Sequence, residues 1–331
     1  MPSVNFVVLP LLFTSWHSPV EKKEAIYQAR DLCYHQDYSA ALSRVKEICA
    51  TDPQDPAGLF WYAALLQMLI YDSGNTGLIE SFYLTSDSVI QLCRRRLKNN
   101  PSDAEAHLYW GLTQLNRANL LSWQGKKFAA FMTLLKVTPH LNRALKFDAR
   151  LTDALFGIGV IEYFKATADR YCFGLGLIGS RERAYKLLQK ARRQDGMLQP
   201  MAEFMLGFMC KEEGQFEEAI KYCNRLLERY PNNRAALRLL RDIYLDMGNY
   251  ERVIILAREL ESDITRVFPN NRYGIAENWL KMAYAWAGLG RTDSTRFFAQ
   301  CILNWADQAD SVPWLVSYVR AAKWLKAKAA R

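Results

Sequence analysis

The sequence predicts an all-α fold, a right-handed superhelical solenoid of about seven helical hairpins closed by a C-terminal capping helix. Three observations lead there. The composition is 50% hydrophobic and 23% charged with 17 Gly and 11 Pro in 331 residues, which excludes a disordered or fibrous chain. A small residue follows a large apolar one inside a helical pattern at Tyr62-Ala63, Trp110-Gly111, Ile158-Gly159 and Leu206-Gly207, each pair 48 residues after the last. Turn-forming stretches punctuate that period, among them Asp52-Pro53-Gln54-Asp55-Pro56 and Asn99-Asn100-Pro101-Ser102-Asp103. Proline there cannot continue the preceding helix and suits the opening of the next.

Residues 1–20 contain no Lys, Arg, Asp or Glu and are nearly continuous in apolar residues from Val4 to Trp16. A short uncharged apolar run of this kind reads either as an export segment or as an apolar strip packed on the first helix. The first reading places the protein in the periplasm or cell envelope, the second in the cytoplasm. No run of roughly 18 apolar residues follows, so no spanning helix is expected. Residues 21–310 then form the array, with long repeats over about 56–199 and regular ones over about 200–305. In the regular part, Gly214, Gly248 and Gly290 close first helices in the left-handed conformation open to glycine. Residues 311–331 read as the cap, with Trp314, Tyr318, Ala322 and Leu325 at helical spacing on one side.

Gly214-Gln215-Phe216-Glu217-Glu218-Ala219-Ile220 through Tyr230-Pro231-Asn232-Asn233 resembles the second helix and closing turn of the tetratricopeptide repeat family. Tyr38-Ser39-Ala40-Ala41-Leu42 through Asp52-Pro53 matches it too. The resemblance covers about residues 22–305. The long units, best seen at Asp153 to Gly159 and Ser180 to Ala184, are also similar to bacterial envelope members and to the tetratricopeptide repeat protein 39 group. The family implies a non-catalytic scaffold that binds a protein or peptide segment in its concave groove. The positions of its carboxylate clamp hold Ile26, Arg30, Trp61, Leu108 and Leu112 here, so a free C-terminal carboxylate is not the expected ligand. The groove-facing offsets of the fourth and fifth units carry Phe156, Val160 and Tyr163, then Phe204, Phe208 and Lys211. Such an aromatic stripe reads as core or as a site for apolar anchors.

Charge is uneven. Of the formal +9, residues 91–150 hold an excess of +8, from eleven basic residues against Asp103, Glu105 and Asp148. Arg94, Arg95, Arg96, Lys126 and Lys127 form the candidate patch for an anionic partner, whether acidic protein, nucleic acid or lipid. Chemistry is not expected. Seven scattered cysteines without CxxC read as core residues rather than as a disulfide or metal framework. The four histidines lack metal-ligand spacing. Gly174-Leu175-Gly176-Leu177-Ile178-Gly179 satisfies GxGxxG but follows a helical stretch instead of a strand, so no dinucleotide is expected. Neither GxSxG nor a phosphate-binding loop occurs. The reading is a scaffold with no cofactor and no metal.

Overall fold

Seven of the described helices begin with a side chain that satisfies an orphan amide of the helix start. Asp37, Asp55, Asp103, Ser180, Asn233, Asn249 and Asn271 each accept a hydrogen bond from the amide two or three residues on, the contact that makes these residue types favoured caps. A computed structural model describes residues 19–171, 179–305 and 313–329. Within them lie sixteen α-helices. The hairpins are α1 (Pro19–His35) with α2 (Tyr38–Thr51), α3 (Pro56–Ser73) with α4 (Ile79–Asn99), and α5 (Ala104–Trp123) with α6 (Lys127–Leu134) and α7 (Val137–Phe147). Next come α8 (Asp153–Tyr171) with α9 (Arg181–Arg193), α10 (Gln199–Glu212) with α11 (Phe216–Arg229), α12 (Arg234–Asp246) with α13 (Tyr250–Val267), and α14 (Arg272–Gly288) with α15 (Thr292–Leu303). The last helix, α16 (Pro313–Lys328), packs on α14 and α15. Its buried stripe is Leu315, Val319, Ala322 and Leu325, and Tyr318 stacks on Tyr273. The Trp314 side chain, residues 1–18 and most of the GxGxxG segment lie outside the described residues.

The extra residues of the long units enter in two ways. Helices α3, α4, α5 and α8 run 18, 21, 20 and 19 residues, against 14 each for α10 and α11. The second limb of the third hairpin is instead broken into α6 and α7. Pro139 sits in the first turn of α7, where its missing amide costs nothing. In a continuous helix it would remove an interior hydrogen bond and its ring would clash one turn back. The proline thus sets the break at residues 135–136. The small residues of the 48-residue period meet the second limbs: a Cβ on Gly159 would lie 2.9 Å from Leu188 Cγ, and one on Gly207 would lie 3.2 Å from Tyr222 Cβ.

A single apolar core joins α1 through α14, and a second one binds α14, α15 and α16. The path curls tightly enough that the start of the array meets its second half. Lys23 Nζ and Tyr27 Oη of α1 donate to the Asp195 carboxylate and carbonyl at 2.7 and 2.8 Å. Further along α1, Tyr230 Oη donates to Asp31 at 2.7 Å. The end of α3 touches α14. The first hairpins therefore sit against the helix starts of hairpins five, six and seven.

Candidate functional site

The six residues expected to face the groove divide. Phe156, Val160 and Tyr163 are buried at 7, 5 and 3% exposure and belong to the main core, together with Ala25, Ile26 and Ala29 of α1. They are core residues and cannot present themselves to a ligand, which corrects the expectation for these three. The cause is that the long helices leave more interior to fill, with α8 packed between α5, α7, α9 and α10. Phe204 and Phe208 are half-buried against the same core. Lys211 is ion-paired with Asp246 at 2.7 Å and Glu212 at 3.0 Å, and these pairs raise its pKa despite the opposing pull of burial.

What stays open is a row of rings along one edge. Phe164, absent from the groove positions expected above, is 44% exposed. Its ring meets Tyr163 edge-on at 5.9 Å, and Tyr163 meets Phe208 edge-on at 6.1 Å, the favoured aromatic geometry. Only Phe164 and part of Phe208 face water. The signal was present, since Phe164 neighbours a groove-facing position, but an exposed ring beside a buried one is a property of curvature that no single repeat records.

Where the end of α3 meets α12 lies a buried ionic clasp. The Asp72 carboxylate, at the end of α3, accepts from Tyr38 Oη at 2.9 Å, from Arg234 Nε at 2.8 Å and from Arg238 Nη1 at 3.2 Å. Burial opposes ionisation of Asp72, but the Arg234 hydrogen bond and the charges of Arg238 and Arg234 outweigh it and hold its pKa below the usual carboxylate value. Behind it, fully buried Arg241 binds Glu277, Asp242 and Asn278. Two asparagines lock the same seam. Asn233 caps α12 through Ala236 N and donates Nδ2 to the Tyr34 carbonyl at 2.9 Å. Asn271 caps α14 through Gly274 N and donates Nδ2 to the Asp72 carbonyl at 2.6 Å. Each buried amide satisfies a helix start and a helix end at once, on groups otherwise left orphaned.

The basic residues do not form one patch. Arg96 is committed to the α5 cap, with its guanidinium on both oxygens of Asp103 at 2.7 and 3.0 Å. Arg94 lies over the Trp110 ring at 5.7 Å and Arg95 is exposed. Lys126 and Lys127 are exposed past the far end of α5; the 13 residues from Trp110 to Trp123 alone place them about 20 Å away along that helix. Near Arg94, Trp110 stacks on His140, whose Nδ1 is 2.9 Å from that of His107. The Pro101 carbonyl lies 3.2 Å from His107 Nε2 and can only accept, so the His107 proton sits on Nε2 and His140 donates between the rings. Desolvation, then His107 and Arg143, push His140 down to about 4. The imidazoles therefore add no charge near neutral pH.

No chemical constellation gathers among the described residues. None of their His, Cys, Asp and Glu side chains cluster in threes as metal ligands would. Burial pushes the Cys33, Cys93 and Cys223 thiols up to about 12, far from the thiolate that nucleophilic chemistry needs. No described helix is long and apolar enough to cross a membrane.

Comparison with known proteins agrees with this architecture. A tetratricopeptide repeat model matches residues 211–262, the span from the end of α10 through most of α13. A chain of the APC/C hetero-tetramer Cut9–Hcn1 superposes with a TM-score of 0.57 at 13% identity, over 95% of this chain and 57% of that one. A thermophilic tetratricopeptide protein of Thermus thermophilus gives 0.41 at 14% identity, over 68% and 99%. One from Parabacteroides merdae gives 0.41 at 14%, over 92% and 99%. This chain thus spans little more than half of the Cut9–Hcn1 chain. No curated protein matches the sequence. Residues 211–262 are thus tetratricopeptide repeats, set in a chain that folds as helical hairpins throughout its described residues.

Proposed function

We propose that this protein is a non-catalytic interaction scaffold, and that a partner segment with an apolar anchor docks on the aromatic edge of hairpins four and five. Phe164 and Phe208 provide the apolar contact there, Tyr163 supports them from within, and Lys211 with Asp246 borders them. The carrying observation is the exposed Phe164 ring joined through Tyr163 to half-buried Phe208. The fold supports the reading, because stacked hairpins offer extended binding surfaces. So does the structural neighbour held in the Cut9–Hcn1 hetero-tetramer. A buried aromatic anchor is worth about 2 kcal/mol or more to binding. Affinity capture from native-host lysate should therefore yield a specific partner whose recovery falls more than roughly tenfold with Phe164→Ala or Phe208→Ala. Recovery unchanged per folded molecule for both variants defeats the reading.

A further inference from the structure

Helix α6 and its C-cap turn three apolar residues outward, while Phe131 and Leu134 stay half-buried. Phe128, Met132 and Leu135 stand at 79, 44 and 47% exposure, spaced i, i+4 and i+7, while Ala130 on the opposite face is buried. A surface helix of a soluble protein normally turns such a stripe inward. Lys126 and Lys127 flank one end of the stripe and Lys136 the other, all exposed. Between Glu105 and Asp148 the chain has no acidic residue, and Arg143 and Lys146 of α7 are exposed as well. This face thus asks for two things together, an apolar medium for three side chains and negative charge around them.

We propose that α6 is a membrane-surface anchor that lies in the interface of a bilayer rich in anionic phospholipid. Phe128, Met132 and Leu135 insert among the acyl-chain ends, and Lys126, Lys127 and Lys136 reach the headgroup phosphates. An interfacial helix uses this arrangement, with one apolar face and lysines on its margins, and basic residues near an anionic surface add attraction that salt screens. Nucleic acid offers the charge without the apolar medium. The groove of an acidic protein would have to enclose a helix of only eight residues whose stripe is convex. The α6–α7 break releases the helix for this role, since Pro139 frees α6 from continuing along the limb that α7 packs.

The test is co-sedimentation of the full chain with vesicles of phosphatidylcholine alone or with a third phosphatidylglycerol. Binding should be strong only to the anionic vesicles and fall at least tenfold between 50 and 300 mM salt, on the order expected for screened charge. The Phe128→Ser, Met132→Ser, Leu135→Ser variant keeps every charge and removes only exposed side chains. It should lose about tenfold or more of the binding, which separates insertion from the general attraction of a basic protein. In a Phe128→Trp variant the indole emission should shift to the blue on anionic vesicles. The proposal fails if the triple-serine variant sediments like wild type, if no anionic vesicle is bound, or if polyglutamate shifts the emission of the Phe128→Trp variant and the vesicles do not.

Discussion

The long hairpins α3–α9 and the regular hairpins α10–α15 solve the same packing problem differently. In the regular half, helices of 12 to 18 residues stack with one glycine turn to each hairpin, as at Gly214 with φ of +73°. In the long half, each hairpin spends its additional residues in its own way: two lengthened helices, a limb broken at a proline, or a longer connection. Regular units repeat a local solution. Long units create features the repeat does not encode, namely an inward curl that brings α1 and α3 to the second half, and the outward α6. The difference teaches that repeat length sets how far the array closes on itself.

The comparison breaks most visibly at the clasp. Asp72→Ala removes the buried carboxylate that Arg234 and Arg238 share, leaving Arg234 with Asp263 and Arg238 with Glu277, and should cost about 3 kcal/mol of unfolding free energy, the low end for a broken buried pair, read by denaturant titration. The same change at Asp246, exposed at the end of α12, should cost under about 0.5 kcal/mol. Gly159→Val, in the long half, drives a side chain into Leu188 and the Ala184 carbonyl and should cost about 1–3 kcal/mol. Asn233→Ala and Asn271→Ala each remove a cap and a seam bond and should cost about 1–2 kcal/mol apiece. Asn249→Ala removes a cap alone and should cost less.

Acid sharpens the same contrast. The folded-state pKa of Asp72 is depressed, so its contribution is fully present above the ordinary value of about 3.9 and is lost as pH falls below that through the folded pKa. The stability gap between wild type and Asp72→Asn should therefore be constant above about pH 5 and shrink below about pH 4. A gap that widens on acidification contradicts the assignment. The smallest expected effect is at Arg95, exposed and away from the clasp, where Arg95→Ala should stay within about 0.5 kcal/mol.

The hairpins were legible because they rest on local chemistry. Glycine or alanine at the helix crossing, Asp, Asn or Ser before seven of the helices, and proline in the turns act within a few residues of themselves. The clasp was not legible. Asp72 and Arg234 are 162 positions apart, and each alone reads as an ordinary helical charge. Burial of Phe156, Val160 and Tyr163 escaped because it depends on how closely α5, α7, α9 and α10 pack round α8, which the residue types alone do not reveal. The split of the basic region follows from helix length, which carries Lys126 and Lys127 away from Arg94 although they lie close in sequence. The α6–α7 break did leave a sign in Pro139, but a proline at that offset is also tolerated in an uninterrupted first turn.

The two seam asparagines also set a schedule. Asn233 reaches Tyr34 and Asn271 reaches Asp72 across the same separation of 199 residues. At a synthesis rate of roughly 5–20 residues per second, α1 and α3 wait on the order of 10–40 s after emerging from the ribosome before their partners exist. During that interval Asp72 has Tyr38 of the first hairpin but not yet Arg234 or Arg238. The first hairpins of the array are thus among the last to be finished. A chaperone that shields an amphipathic first hairpin would have its opportunity then, and a chain interrupted before residue 271 would expose a surface the complete protein keeps covered.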